Sequence, residues 1–172
     1  MAKTIEQRII ERYDYDISDI VGNRDDVFIN GSIIHVGGIL CIPPKMNGTP
    51  IVSIFDSKCN ISNQNGALDM ETPDNHPIAV GRSVIFFSCL RALKTARQAT
   101  PTKSLEEIEL CARFEARIVS SPSFENLGML SFGARELFDL TFDGRQPQYN
   151  LFGVSTLASN ALMSLDFQFL LK

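Results

Sequence analysis

The sequence predicts an α+β fold, in which an antiparallel, hairpin-rich β-sheet of about five to six strands packs against one main helix and a short N-terminal helix. Three observations lead to this prediction. Several segments alternate polar and apolar residues with a period of two, one long segment has helical spacing, and Asn-Gly pairs separate the strand candidates. At 172 residues the chain is long enough to bury a core, and we expect one globular domain over residues 1–172.

The first element is a short helix over residues 4–13. Thr4 and Gln7 have the spacing of a capping box, in which each side chain bonds to the other residue's backbone N–H. Isoleucines then recur at helical spacing.

Hairpins follow. Asn30 and Gly31 separate two β-rich runs, and this dipeptide favours a type I′ turn because both of its central residues need positive φ. The pair Gly37–Gly38 interrupts the second run, which indicates a bulge or tight bend more than a phosphate-binding loop, since no helix follows. A further strand is predicted after the Asn47–Gly48 turn, over residues 49–55.

Residues 60–77 are rich in Asn, Gly, Asp and Pro, and they predict one long loop. The main helix is expected to begin with Ser83 as N-cap and to continue to residue 98. One face of this helix is apolar. Arg91 and Lys94 lie on the opposite side, Arg97 lies at its edge, and Arg82 precedes the N-cap. We select these four cations, Arg82, Arg91, Lys94 and Arg97, as candidate interaction residues. They form either a solvated helix face or an exposed basic ridge that meets an anionic partner.

Three strands are predicted in the C-terminal half. The clearest covers residues 107–118 and should have one buried and one solvated face. Residues 138–143 and 163–169 alternate in the same way. The residues expected on the buried face of the first strand are Ile108, Leu110, Ala112, Phe114, Ala116 and Ile118.

No catalytic, metal or cofactor motif is found, and we expect a protein that is not an enzyme. The thiols of Cys41, Cys59, Cys89 and Cys111 lack CxxC spacing and are expected to be buried and free. His35 and His76 are too few for a zinc site. Three carboxylates on strand candidates, Asp139, Asp143 and Asp166, are spaced like ordinary solvated residues.

The charge of the chain bears on which partners are expected. The net charge of −4 gives no overall attraction to phosphate or anionic lipid. No secretory signal and no apolar run long enough to cross a membrane is seen, so the expected location is cytoplasmic.

The layout of residues 51–172 resembles that of rhabdovirus matrix proteins, in particular of a short plant-infecting branch. The resemblance lies in the order of a strand ("IVSIFDSKCNIS"), a Pro-containing turn and helix ("PIAVGRSVIFFSCLRALKTARQ"), an alternating strand ("EIELCARFEARIV"), a charged strand ("RELFDLTFDGR") and an apolar C-terminal segment. It includes no diagnostic motif, and no functional residue transfers by position.

This resemblance implies a non-enzymatic structural protein that self-associates and bridges a nucleoprotein to a membrane. The implied partners are a second copy of the chain, a nucleoprotein and the surface of an anionic membrane, and the implied locations include the membrane periphery and the virion. The alternative function is a small-ligand or nucleic-acid binding module, such as a viral accessory or movement factor. Direct binding of nucleic acid is left open.

Overall fold

The structure of the protein is a computed structural model. It describes residues 3–20, 26–41, 45–46, 49–50, 60–61, 68–69, 77–119 and 127–172. The α-helices are α1 (Ile5–Tyr13), α2 (Pro77–Ala99) and α3 (Phe132–Thr141). Short 3-10 turns lie at Ile17–Asp19, Leu105–Glu107, Leu127–Ser131 and Ala158–Asn160.

The strands form one main sheet and two small ribbons. The main sheet contains β1 (Asp26–Asn30), β2 (Ile33–Cys41), β7 (Ile108–Val119), β8 (Gln148–Val154) and β9 (Met163–Leu171) in the order β1-β2-β9-β7-β8. All neighbours in this sheet are antiparallel except β7 and β8, which are parallel. The ribbons pair β3 (Lys45–Met46) with β4 (Thr49–Pro50), and β5 (Asn60–Ile61) with β6 (Leu68–Asp69). The predicted α+β fold is confirmed.

The start of α1 follows from local chemistry. The Thr4 hydroxyl accepts from the Gln7 backbone N–H, and the Gln7 side chain accepts from the Thr4 N–H. The Glu106 carboxylate accepts a further bond from the Ile5 N–H, at 2.8 Å. These acceptors satisfy amide groups that have no partner within a helix's first turn.

Helix α2 begins earlier than predicted. Pro77 is its first residue, a position where the missing N–H costs nothing, so Ser83 lies inside the helix. The predicted loop at 60–77 therefore ends before Pro77; apart from β5 and β6, its interior lies outside the described residues. Within the described part of the chain, no helix is long and apolar enough to cross a membrane.

Residues 138–143 are not a strand, and this prediction is wrong. They belong to α3 and the turn after it. Ala134, Leu137, Phe138 and Thr141 are buried, and their spacing of three and four residues is that of one helix face. The alternation of Phe138, Leu140 and Phe142 is too short to distinguish the two-residue period of a strand from the 3.6-residue period of a helix. Consequently Asp139 lies in α3 and Asp143 in the turn, far from the strand arrangement expected.

The core lies between one face of the sheet and the helices. Phe114 in β7 and Phe167 in β9 are fully buried there, with their ring centroids 5.2 Å apart. Residues of α2, including Leu90 and Leu93, pack in the same cluster. The alternating pattern of β9 is confirmed, because Met163, Leu165, Phe167 and Phe169 are all buried.

The burial pattern of β7 departs from the prediction at its first half. Ile108, Phe114, Ala116 and Ile118 are buried as expected, but Leu110 is only half-buried and Ala112 is exposed, whereas Cys111 is fully buried. The register between β7 and β9 shifts between Ile108 and Leu110 and again between Cys111 and Arg113. Each irregularity changes which residues face the core, so strict alternation fails there.

The first hairpin forms one residue away from the predicted position. Asn30 pairs with Ile33, so the two turn residues are Gly31 and Ser32. Only Gly31 has positive φ, at 58°, and glycine at the first turn position is typical of a type II′ turn, not type I′. The bulge predicted at Gly37–Gly38 is confirmed by a register shift between Val36 and Ile39.

Candidate functional site

The second face of the main sheet, which we call the open face, carries a cluster of polar side chains. It carries the half-buried residues that alternate with the core residues of β2, β7 and β9. A concavity of about 500 Å³ lies on it. Its polar lining consists of His35, Arg113, Glu115, Arg117, Asp166 and Gln168.

Four charged side chains form a continuous network in this concavity. Arg113 Nη2 donates to Glu115 Oε2 at 2.6 Å, and Arg117 donates to the other oxygen of Glu115. Arg117 Nη1 also donates to Asp166 Oδ2 at 2.8 Å. The network therefore joins β7 to β9, with two positive and two negative groups.

The position of Arg117 has an electrostatic reason. Glu115 and Asp166 lie directly opposite each other on neighbouring strands, and two carboxylates in that arrangement repel. Arg117 divides its guanidinium between them. Hydrogen bonding to Asp166, partly opposed by burial and reinforced by both carboxylates, raises the pKa of Arg117. The guanidinium, which is charged in proteins in any case, holds both acids in place.

The bulge in β2 makes room for Asp166. A Cβ atom at Gly37 would lie 2.6 Å from Asp166 Oδ1, closer than side chains tolerate. The next residue, Gly38, has φ of +68° and donates its N–H to the same oxygen at 3.3 Å. A residue other than glycine at position 37 would displace the Asp166 carboxylate from Arg117.

Arg113 is the least satisfied member of the network. Its Nε atom is buried and finds no hydrogen-bond partner within the described structure, although about 44% of the side chain is exposed. A buried donor without an acceptor costs roughly 1–3 kcal/mol. An incoming acceptor that turns this guanidinium outward would remove the cost.

The candidate interaction residues of α2 lie away from the open face, and two of them have intramolecular roles. Lys94 Nζ donates to the carbonyl oxygen of Ser18 at 2.9 Å. Arg97 Nη1 donates to Glu6 at 2.9 Å, and its side chain is only 16% exposed. The expected exposed ridge is therefore not formed by these two cations.

The other two residues of that set give less information. Arg91 is half-buried and has an interaction of its own. Arg82 lies in α2, but its side chain is outside the described residues. An interaction role for Arg82, Arg91, Lys94 and Arg97 stays a prediction.

The described thiols are free, as predicted, and poorly suited to nucleophilic attack. Cys89 and Cys111 are fully buried and Cys41 is half-buried. Burial raises the pKa of all three, most strongly at Cys89 and Cys111, so the thiolate is disfavoured. Cys59 and His76 lie outside the described residues. Among those that are described, no group of His, Cys, Asp and Glu is arranged to hold a metal ion.

Sequence reasoning missed the open-face network. The alternation of β7 places Arg113, Glu115 and Arg117 on one solvated face, and that signal was read only as solvation. Asp166 and Gly37 are distant in sequence, and only the pairing of β9 with both β2 and β7 brings them to the same place.

Solved structures of bacterial proteins share this fold. An Agrobacterium tumefaciens protein of unknown function, Atu1372, is 18% identical with a TM-score of 0.65, over 98% of this chain and 94% of its own. A Shewanella oneidensis protein provisionally described as an endoribonuclease is 16% identical with a TM-score of 0.67, over 98% of this chain and 100% of its own. No protein-family model matches the sequence, and no curated protein does.

These similarities overturn one expectation. The expected resemblance to rhabdovirus matrix proteins is wrong, and with it the role in virion assembly, because the solved structures that share this fold over 98% of the chain are bacterial proteins and not viral matrix proteins. The order of helix and strands that suggested a matrix protein included the strand "RELFDLTFDGR", whose residues lie in α3 and the turn after it. At identities of 16–18%, the similarity shows the fold alone.

Proposed function

We propose that this protein is a small-ligand binding module and that its ligand occupies the concavity on the open face. The observation that carries the proposal is the network of Arg113, Glu115, Arg117 and Asp166, which lines a space of about 500 Å³. Ligand pockets typically have volumes of roughly 300–1,000 Å³ with a few convergent polar groups.

The charges favour a small polar ligand that carries a carboxylate or a similar planar anion. A guanidinium recognises such a group through two parallel hydrogen bonds. Arg113 is the best placed donor, since it is half-exposed and its Nε lacks a partner in the described structure. The acceptors of Asp166, which is 41% exposed, suit a hydrogen-bond donor on the same ligand.

A nucleic acid fits this face less well than a small ligand does. Glu115 and Asp166 lie between and beside the arginines, so a run of phosphates would meet carboxylates as well as guanidinium groups. The net charge of −4 adds a general repulsion. We therefore favour the small-ligand half of the alternative function.

We also propose binding without chemical turnover, in a reducing compartment such as the cytoplasm. The raised pKa values of the described thiols disfavour nucleophilic attack, and this supports the part of the proposal that excludes turnover. Their occurrence as free thiols is typical of proteins kept in reducing surroundings.

The test is a titration with defined probes followed by NMR. Acetate, succinate and inorganic phosphate are added separately to ¹⁵N-labelled protein, and the arginine Nε–Hε signals are observed. We expect a carboxylate to shift the Arg113 and Arg117 signals in a saturable way, and Arg113→Gln to weaken that binding at least tenfold. Arg12→Gln is the matched control, because Arg12 pairs with Glu136 on the exposed surface of the helical layer.

Each result bears on the proposal. Saturable shifts that Arg113→Gln abolishes and Arg12→Gln retains would support it. Shifts equal in both variants, or none with any of the probes, would overturn the assignment of the ligand to this concavity. Hydrolysis of an added ribonucleotide oligomer that is lost in Arg113→Gln would contradict binding without turnover.

A further inference from the structure

The edge strand β1 is exposed and apolar. Val27 is 41% exposed, Phe28 64% and Ile29 48%. The strand stands at one end of the main sheet, and no described strand pairs with its outer edge. An uncovered apolar edge is a ready template for another strand.

The hairpin determines which backbone groups of β1 point outward. A two-residue turn makes Asn30 and Ile33 a hydrogen-bonded pair, and hydrogen-bonded pairs then alternate along an antiparallel ladder. Phe28 therefore bonds to β2, whereas Val27 and Ile29 direct their N–H and C=O groups to the free edge. The Leu171 N–H donates to the Ser32 carbonyl at 2.7 Å. This bond agrees with the alternation, because it shows that the backbone groups of even-numbered residues at this end of β2 point to β9, which leaves those of the odd-numbered residues to point to β1.

The strand is self-complementary about Phe28. In an antiparallel pairing of two β1 strands centred there, Val27 of one copy meets Ile29 of the other, and their outward backbone groups can form four hydrogen bonds. Phe28 meets Phe28 as a pair without hydrogen bonds, in which side chains approach closely. Asp26 meets Asn30, so a carboxylate faces an amide and no two like charges are opposed.

We propose that two copies of this chain associate through their β1 strands in this register, which joins the two five-stranded sheets into one. An unrelated strand would need no such symmetry, whereas β1 has matched apolar residues on both sides of its centre and complementary polar residues at its ends. The Phe28 ring contacts His35, with centroids 5.9 Å apart, so the interface lies next to the open-face concavity without lining it.

Two substitutions of Asn30 test the pairing with opposite expected signs. Asn30→Asp puts two carboxylates opposite each other at both ends of the interface, and Asn30→Lys puts a cation opposite Asp26 at both ends. Sedimentation equilibrium at low salt should show the dimer dissociation constant rise about 3- to 10-fold for Asn30→Asp and fall for Asn30→Lys. Both effects should shrink in 0.5 M salt, because the Debye screening length there is only about 5 Å.

Two further measurements define the backbone pairing and the register. Val27→Pro removes an N–H that faces the free edge and leaves the bonds to β2 intact, so it should give a folded monomer. Phe28→Cys should form an intermolecular disulfide under mild oxidation and Val27→Cys should not, because only residue 28 meets its own copy. The wild-type protein, oxidised in parallel, controls for the native thiols.

Several outcomes would overturn the proposal. A wild-type protein that stays monomeric at millimolar concentration would do so, and so would a dimer whose dissociation constant is the same in both Asn30 variants. Crosslinking at residue 27 with none at residue 28 would exclude the register. If Val27→Pro does not fold, the Asn30 pair and the cysteine pair still decide the question.

Discussion

Arg97 in the last turn of α2 donates to Glu6 in the first turn of α1, with 2.9 Å between Nη1 and Oε1. Each charge lies at the helix end that its sign favours, because the partial charge of a helix is positive at its N-terminus and negative at its C-terminus. The pair joins two helices that are also in contact through the edge-to-face rings of Tyr13 in α1 and Phe86 in α2, whose centroids are 4.8 Å apart.

Removal of this pair should cost stability modestly. We expect Arg97→Gln to lower the free energy of unfolding by about 1 kcal/mol, since the pair is partly exposed and solvent screens it. Urea denaturation of both single variants and of the Arg97→Gln/Glu6→Gln double variant measures the coupling. Lys3→Gln, at the more exposed Lys3–Glu11 pair, should change little. Additive effects of the two changes would mean that the pair contributes nothing.

Phe114 and Leu110 should respond differently to truncation, although both were expected on the same face of β7. Phe114 is fully buried against Phe167 and Tyr149, and Phe114→Ala should cost about 3–5 kcal/mol. Leu110 packs against the core but is only half-buried, so Leu110→Ala should cost less than about 2 kcal/mol. Equal losses in chemical denaturation would contradict the register shifts in β7.

Gly37→Ala should disturb the network of charged side chains, although none of the charged residues is itself substituted. The added Cβ would lie 2.6 Å from Asp166 Oδ1 and would push that carboxylate away from Arg117. We expect a loss of about 1–2 kcal/mol in the free energy of unfolding, together with a shift of the Arg117 Nε–Hε NMR signal.

The matched control is Gly128→Ala, because a Cβ there meets nothing within 4 Å. The same Gly37→Ala change made in an Asp166→Ala background should be nearly neutral, since the clashing oxygen is gone. A cost that persists in that background would show that backbone strain, and not the carboxylate, requires glycine at position 37.

Glu106 should make stability depend on acid. Burial favours its neutral form, but hydrogen bonds from the Ser104 hydroxyl and from the Ile5 N–H outweigh burial and lower the pKa of Glu106. The unfolded state therefore takes up its proton first as the pH falls. The stabilisation is complete above the ordinary glutamate pKa of about 4.3 and is lost as the pH falls through the lower folded-state value.

Glu106→Gln should reduce this dependence. Its free energy of unfolding, measured by urea denaturation between pH 7 and pH 3, should fall less steeply below about pH 4.5 than that of the wild type. Glu11→Gln, at an exposed carboxylate, serves as the control. Parallel curves for Glu106→Gln and wild type would contradict the role assigned to Glu106.

Elements that depend on local chemistry were predictable. The capping box of Thr4 and Gln7 requires only residues within one helical turn, and it forms as the spacing indicates. The long alternation of β9 likewise survives because a strand buried on one face needs apolar residues at every second position. The bulge at Gly37–Gly38 was readable from two glycines in succession.

The sequence by itself determined which residues could share a face, and the tertiary structure decided which face met which neighbour. Residues 137–142 carry apolar groups at positions compatible with a helix or a strand, and packing of α3 against α2 selected the helix. The open-face network shows the same limit. Arg117 and Asp166 meet only because β9 pairs with β7, and strand order is a property of long-range pairing that no local pattern encodes.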